Sequence, residues 1–172
     1  LHIQSRKKLE NYFEEKRQLL FRKGASALIM NNKNKFLLVN LISFKDHFFA
    51  IPGGGVEENE SIEDAVHREI QEELNIEKKS LLLVGKSDVP IIVKFKTTKF
   101  NDAGIEFDGM ERHFFGFKFI GNDSEIKLQE EEVRSYKWVS YENLKDYLLF
   151  DDQLKDTQEK ILELFPSVKE II

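Results

Sequence analysis

Glu69, Glu72 and Glu73 stand at i, i+3 and i+4 in the segment REIQEEL, directly after an arginine. On a helix that spacing turns all three carboxylates toward one edge. The apolar residues Ile62, Ala65, Val66, Ile70 and Leu74 define an arc centred near Val66. At about 100° per residue, Glu73 projects within roughly 20° of that centre and Glu69 roughly 60° from it. Burying ionised carboxylates is costly, and three like charges held close repel one another. A divalent cation resolves both costs. All-oxygen carboxylate ligands suit Mg²⁺, with Mn²⁺ a second choice, whereas zinc usually recruits Cys or His. The chain has no cysteine, and its four histidines form no closely spaced ligand pair.

The elements that must position these groups are local. Pro52-Gly53-Gly54-Gly55 reads as a glycine-rich loop, since proline lacks a donor and glycine favours unusual backbone angles. Ser61 is a natural N-cap, with Asp64 three residues on completing a capping-box-like pair. The loop therefore feeds an amphipathic helix of roughly three to four turns. Asn75 falls where the helix should close in a left-handed residue, a role asparagine fills after glycine.

This segment resembles the signature of the Nudix hydrolase family: G, five residues, E, seven residues, then R-E-U-x-E-E-x-G-U with U aliphatic. Gly54, Glu60, Arg68, Glu69, Ile70, Glu72, Glu73 and Ile76 match it, and Asn75 replaces the usual glycine. The resemblance implies an α/β fold, a Nudix-like α/β/α sandwich with a mixed β-sheet. It implies metal-dependent hydrolysis of a phosphoanhydride in a nucleoside diphosphate linked to another group. Nucleoside triphosphates, dinucleoside polyphosphates, ADP-ribose-like compounds and nucleotide sugars all meet that description. By the same resemblance Glu69, Glu72 and Glu73 coordinate the cation, a carbonyl of Gly53 or Gly54 completes its shell, and Arg68 orients the glutamates, with Glu60 a candidate partner. The general base comes either from the helix or from a distant acidic loop. Here Glu132, before the strand-like stretch around Trp138, is the preferred distant base or extra metal ligand, with Glu130 and Glu131 competing. A nucleotide-binding module without turnover is the rival reading, although such modules commonly lose the metal glutamates that this chain keeps.

The rest of the chain frames this motif. At 172 residues, 41% hydrophobic and 33% charged, the composition suits a globular protein with a substantial core. Helical spacing over residues 4–22 predicts an amphipathic N-terminal helix, giving an extension over 1–23 and a domain over 24–172. Residues 25–30 and 36–42 read as strands of a hairpin turning at 31–34, and 48–51 as a strand leading into the glycines. Further strands are predicted at 81–84, 91–98 and 112–120, with Phe115, Phe117 and Phe119 on one face. The polar stretch 99–111 reads as a mobile flap, and 141–149 and 157–165 as closing helices.

Lys45, Arg112 and Lys118 are candidates for phosphate binding, and Phe44, Phe48 and Phe114 for stacking on a base. A net charge of −5 and a pI near 5.5 argue against a surface that coats nucleic acid, so a small nucleotide-type substrate is expected and no nucleic acid polymer. No apolar run reaches membrane-spanning length, and the absence of cysteine agrees with a cytoplasmic setting. A homodimer stays open.

Overall fold

A computed structural model of the chain describes residues 6–8 and 19–172. Among these, seven strands form one mixed sheet: β1 (Phe21–Met30), β2 (Lys35–Leu41), β3 (Gly53–Gly55), β4 (Leu81–Lys86), β5 (Ile91–Phe100), β6 (Glu106–Phe119) and β7 (Val133–Ser140). The strand order is β4-β6-β1-β2-β7, with β3 paired to β1 and β5 to β6. β1 and β6 run parallel, and the other pairs are antiparallel. Helix α1 (Ile62–Leu74) covers one face and α2 (Asp151–Leu164) the other.

Pleat alternation divides the core. Ala25, Ala27 and Ile29 of β1, with Phe115, Phe117 and Phe119 of β6, pack under Val66, Ile70 and Leu74 of α1. Leu28, Met30, Phe36, Leu38 and Phe114 pack under Ile161 and Leu164 of α2. The three phenylalanines are core, as their spacing predicts, and the architecture is the expected α/β/α sandwich.

Several boundaries differ from expectation. The predicted helix over 4–22 lies largely outside the described residues. Residues 6–8 are helical, but β1 already begins at Phe21, so the expected boundary at 23/24 falls inside a strand. Residues 21–23 become strand because they pair with Gly109, Met110 and Glu111. The stretch 99–111 is not a flap. It belongs to a β5–β6 hairpin closed at 101–105, where Gly104 adopts φ 79° and Asn101 Oδ1 accepts the Ile105 amide at 2.9 Å. The polar residues Glu106, Asp108 and Glu111, read as loop, are part-buried or buried in strand β6. Residues 48–51 contribute one bridge, Val39 to Ala50, and Tyr141–Asp146 winds as a 3₁₀ helix.

β1 and β2 pair at the hairpin end, Met30 opposite Phe36, and then the segment 50–55 enters between them. Ala50 bonds Val39, the Ala27 amide donates to the Pro52 carbonyl at 2.8 Å, and Gly53–Gly55 pairs with residues 24–26. The expected glycine loop is thus an internal strand. That insertion delivers the chain to the start of α1.

Candidate active site

The helix that carries the glutamates is built as its sequence predicts. The Asp64 amide donates to Ser61 Oγ at 3.0 Å, and Asn75 ends the helix in the left-handed region at φ 56°. Its apolar stripe docks on β1 and β6, and this fixes the rotation of the carboxylates. Glu73 is buried, Glu69 is half-buried and Glu72 lies exposed at the rim.

Gly54 lies beneath Glu69. A Cβ on Gly54 would collide with the Glu69 carboxylate, and one on Gly53 would strike the Ala25 carbonyl. Glycine is demanded at Gly53 by backbone contact and by its φ of 154°, whereas a side chain at Gly54 would push the Glu69 carboxylate from its place. The short strand β3 and helix α1 therefore touch through bare backbone and carboxylate.

Arg68 ties the group together. Its Nε donates to Glu60 Oε2 at 2.7 Å and its Nη2 to Glu60 Oε1 at 3.0 Å, a bidentate pair. Nη2 also reaches the Gly55 carbonyl at 2.9 Å, while Nη1 reaches Glu69 at 3.0 Å and Glu72 at 3.2 Å. The Glu60 bond holds the guanidinium charged and holds the Glu60 carboxyl below its ordinary range. One arginine thus indexes the glycine strand, the helix start and two glutamates. The sequence pointed to Glu60 as a partner but gave no sign of the Gly55 contact.

Burial pushes the Glu73 carboxyl up to about 8, with Glu69 adding to the rise and the Gly53 amide opposing it. Glu73 Oε2 is buried without a hydrogen-bond partner. Burial also raises Glu69, against the pull of Arg68. An orphaned acidic oxygen beside a bare glycine backbone is what a hard cation satisfies, so the donor set fits Mg²⁺ or Mn²⁺. Among the described residues no three acidic or histidine side chains gather at ligand spacing about one point.

Glu132 is brought to the same neighbourhood. The Gln129 amide donates to the Glu73 carbonyl at 3.1 Å and the Lys127 amide to the Leu74 carbonyl at 2.9 Å, so the acidic turn docks on the end of α1. Glu132 raises the carboxyls of both Glu69 and Glu73 through its charge. Neither Glu130 nor Glu131 figures among those charges.

Arg112 lies on the other sheet face. It is half-buried, donates to Ser26 Oγ at 3.0 Å and has its guanidinium carbon 4.9 Å from the Phe114 ring centre. Lys45 is exposed in the turn after β2, where its carbonyl accepts from Asn40 Nδ2 at 3.0 Å, and the structure brings neither residue into contact with the glutamates. Arg22, overlooked in the sequence, packs its guanidinium where a Gly55 side chain would go. Its reading as part of a helix hid the strand register that places it there.

The chain is a hydrolase of the class that acts on phosphoanhydrides. A NUDIX domain model matches residues 20–165, and the chain belongs to the Nudix family. It is 31% identical over 160 residues to an RNA pyrophosphohydrolase of Pelagibacter ubique (strain HTCC1062), covering 88% of this chain and 98% of that protein. An RNA pyrophosphohydrolase of Zymomonas mobilis is 25% identical over 155 residues, covering 87% and 97%. Among solved structures, a MutT protein from Methanosarcina mazei Go1 superposes with TM-score 0.63 at 21% identity, covering 86% of this chain and 96% of that one. A C. elegans Ap4A hydrolase gives TM-score 0.60 at 22% identity, covering 84% and 98%.

These relatives correct one expectation. Enzymes named for RNA run against the exclusion of a nucleic acid polymer. Net charge speaks against a surface that coats a polyanion, but it does not bar a site that holds one terminal polyphosphate. No described helix is long and apolar enough to cross a membrane.

Proposed function

We propose that this chain is a divalent-cation-dependent pyrophosphohydrolase acting on a nucleoside polyphosphate, with the 5′-triphosphate end of RNA as its substrate. The observation that carries the reading is Glu73, a buried carboxyl that accepts from the Gly53 amide and whose Oε2 finds no hydrogen-bond partner among the described residues. The RNA end is supported by the likeness to the Pelagibacter enzyme over 98% of that enzyme's length.

Glu69, Glu72 and Glu73, with a carbonyl of Gly53 or Gly54, hold the cation. When bound, it polarises a phosphoryl oxygen, offsets charge that develops there and acidifies the attacking water. Arg68 is a positioning residue: its Glu60 and Gly55 bonds fix the angle at which Glu69 and Glu72 meet the glycine strand. Glu132 takes the proton of the water. Water adds to the α-phosphorus, the bond to the bridging oxygen breaks, and a 5′-monophosphate and pyrophosphate leave.

The test is ³¹P NMR of a panel of nucleoside triphosphates, dinucleoside polyphosphates, nucleotide sugars and 5′-triphosphorylated RNA, with and without Mg²⁺. Turnover of RNA ends that requires Mg²⁺ and falls at least about a hundredfold in Glu73→Gln is the expected result. No turnover of any member by folded, metal-loaded protein favours the binding-module reading, and a fully active Glu73→Gln removes the metal assignment.

A further inference from the structure

Strand β5 is positive along its whole length. Lys94, Lys96 and Lys99 stand among its ten residues with no acid, on a chain of net charge −5. The acids of β6 beside it have partners other than these lysines. Glu106 accepts from the Thr98 hydroxyl, Glu111 pairs with His113 Nε2 at 2.8 Å, and Asp108 Oδ2 accepts the Leu20 amide at 2.8 Å. Among the described residues no carboxylate pairs with Lys94 or Lys96, and both are exposed. Among the described residues β5 is also a sheet edge, hydrogen-bonded to β6 alone.

The pleat places these charges. Ile92 stands opposite Glu111 and Lys94 opposite Gly109, so both leave the sheet on the face of Glu111 and His113, and Lys96 continues their exposed alternation up to the register shift that follows. His113 stands beside Ala25, Ala25 beside Gly54, and Glu69 lies over Gly54. Lysines and glutamates therefore share one sheet face. Three strand spacings across and four residues along separate Gly54 from Lys94, on the order of 20 Å of backbone. At the far end of the strand Phe100 is 67% exposed, an aromatic ring of the kind on which an unpaired base stacks.

We propose that Lys94 and Lys96 form a track for the sugar–phosphate backbone of a single-stranded polynucleotide whose 5′-polyphosphate end lies at the glutamates, with Phe100 receiving a base. This rests on the reading of the chain as acting on RNA ends. The track explains how an acidic protein holds a polyanion: a local strip of unneutralised cations suffices where a coating surface is absent. Lysines on an edge strand also deter strand-to-strand association. That role would leave substrate preference untouched, so experiment separates the two.

The test compares wild type with the double variant Lys94→Gln/Lys96→Gln, which removes both charges and keeps unbranched polar side chains. Substrates are a 5′-triphosphorylated RNA of about eight nucleotides, within the span of single-strand sites, and a free nucleoside triphosphate, in Mg²⁺ at about 50 and 200 mM salt. Circular dichroism checks the fold. The expected result is a fall of about tenfold in kcat/KM for the oligonucleotide at low salt, carried by KM, with the salt slope reduced by about 0.7 for each lysine. Turnover of the nucleoside triphosphate stays the same. Unchanged oligonucleotide kinetics, or an equal loss on both substrates, overturns the track while leaving the enzyme's function standing. A wild-type enzyme that cleaves nucleotides but no RNA end overturns the polynucleotide reading and the track with it.

Discussion

Asn75 closes helix α1 in the left-handed region and donates its side-chain amide to the Lys127 carbonyl, so one residue ends the helix and holds the acidic turn against it. A glycine there would supply the backbone conformation without the bond. Asn75→Gly is therefore expected to stay within about 1 kcal/mol of wild type, while Asn75→Ala, which pays for a left-handed alanine, loses about 1–2 kcal/mol. Turnover should fall in both, because each removes one of the bonds that hold the turn carrying Glu132, leaving only its backbone bonds to Glu73 and Leu74. Urea unfolding with parallel kinetics decides it; full activity in Asn75→Gly would separate the turn from catalysis.

The raised carboxyl of Glu73 makes stability depend on pH. Its folded value of about 8 exceeds the ordinary 4.5, so between those values the native state binds more protons than the unfolded chain. Stability of the metal-free protein then falls as pH rises through that window, by at most about 1.4 kcal/mol per pH unit from this group. Glu69, also raised, acts with the same sign, whereas Glu60, held low, contributes stability that is lost as pH drops below its ordinary value. Urea midpoints in chelator should decline from pH 5 to 8, and Mg²⁺ should restore them at pH 8. A flat profile that persists in Glu73→Gln would contradict the burial of this charge.

What could be read in advance follows the range of the interactions. Helix α1, its Ser61 cap, its Asn75 end and the inward rotation of Glu73 depend on residues within four positions, and the sequence displays them directly. The strand Gly53–Gly55 does not, because its partner residues 24–26 lie some thirty positions earlier and glycine carries no alternating pattern to announce a strand. The end of the β5–β6 hairpin was masked by the polar and glycine residues of 99–111, among them Asn101, Asp102, Gly104 and Gly109, which imitate a loop. Arg112 shows a further limit: its charge marked it as a phosphate ligand, but the strand parity that sends it to the α2 face becomes visible only with the register of β6.

The fork of Arg68 on Glu60 predicts that charge alone will not replace it. Arg68→Lys keeps the cation but offers no planar pair of donors, so the bonds to Glu60 and to the Gly55 carbonyl cannot be met together. The expected cost is about 1.5–3 kcal/mol of stability, the range for a hydrogen bond to a charged group. Turnover should fall with little change in substrate KM, as suits a residue that acts through Glu69 and Glu72. Wild-type stability and kcat in the lysine variant would make the fork dispensable.

Glu132 can be tested against its own neighbours. Its charge bears on Glu69 and Glu73, whereas Glu130 lies along a surface cavity with Ile42, Lys127 and Arg134. Glu132→Gln keeps the shape of the side chain and removes its capacity to accept a proton from water. As a lost general base it should lower kcat by about 10²–10⁴, with the acidic limb of the pH–rate profile displaced. Glu130→Gln and Glu131→Gln should stay near wild type. A loss distributed evenly over the three variants would mean that the turn supplies only negative potential, and the proton would then go to a glutamate of the helix.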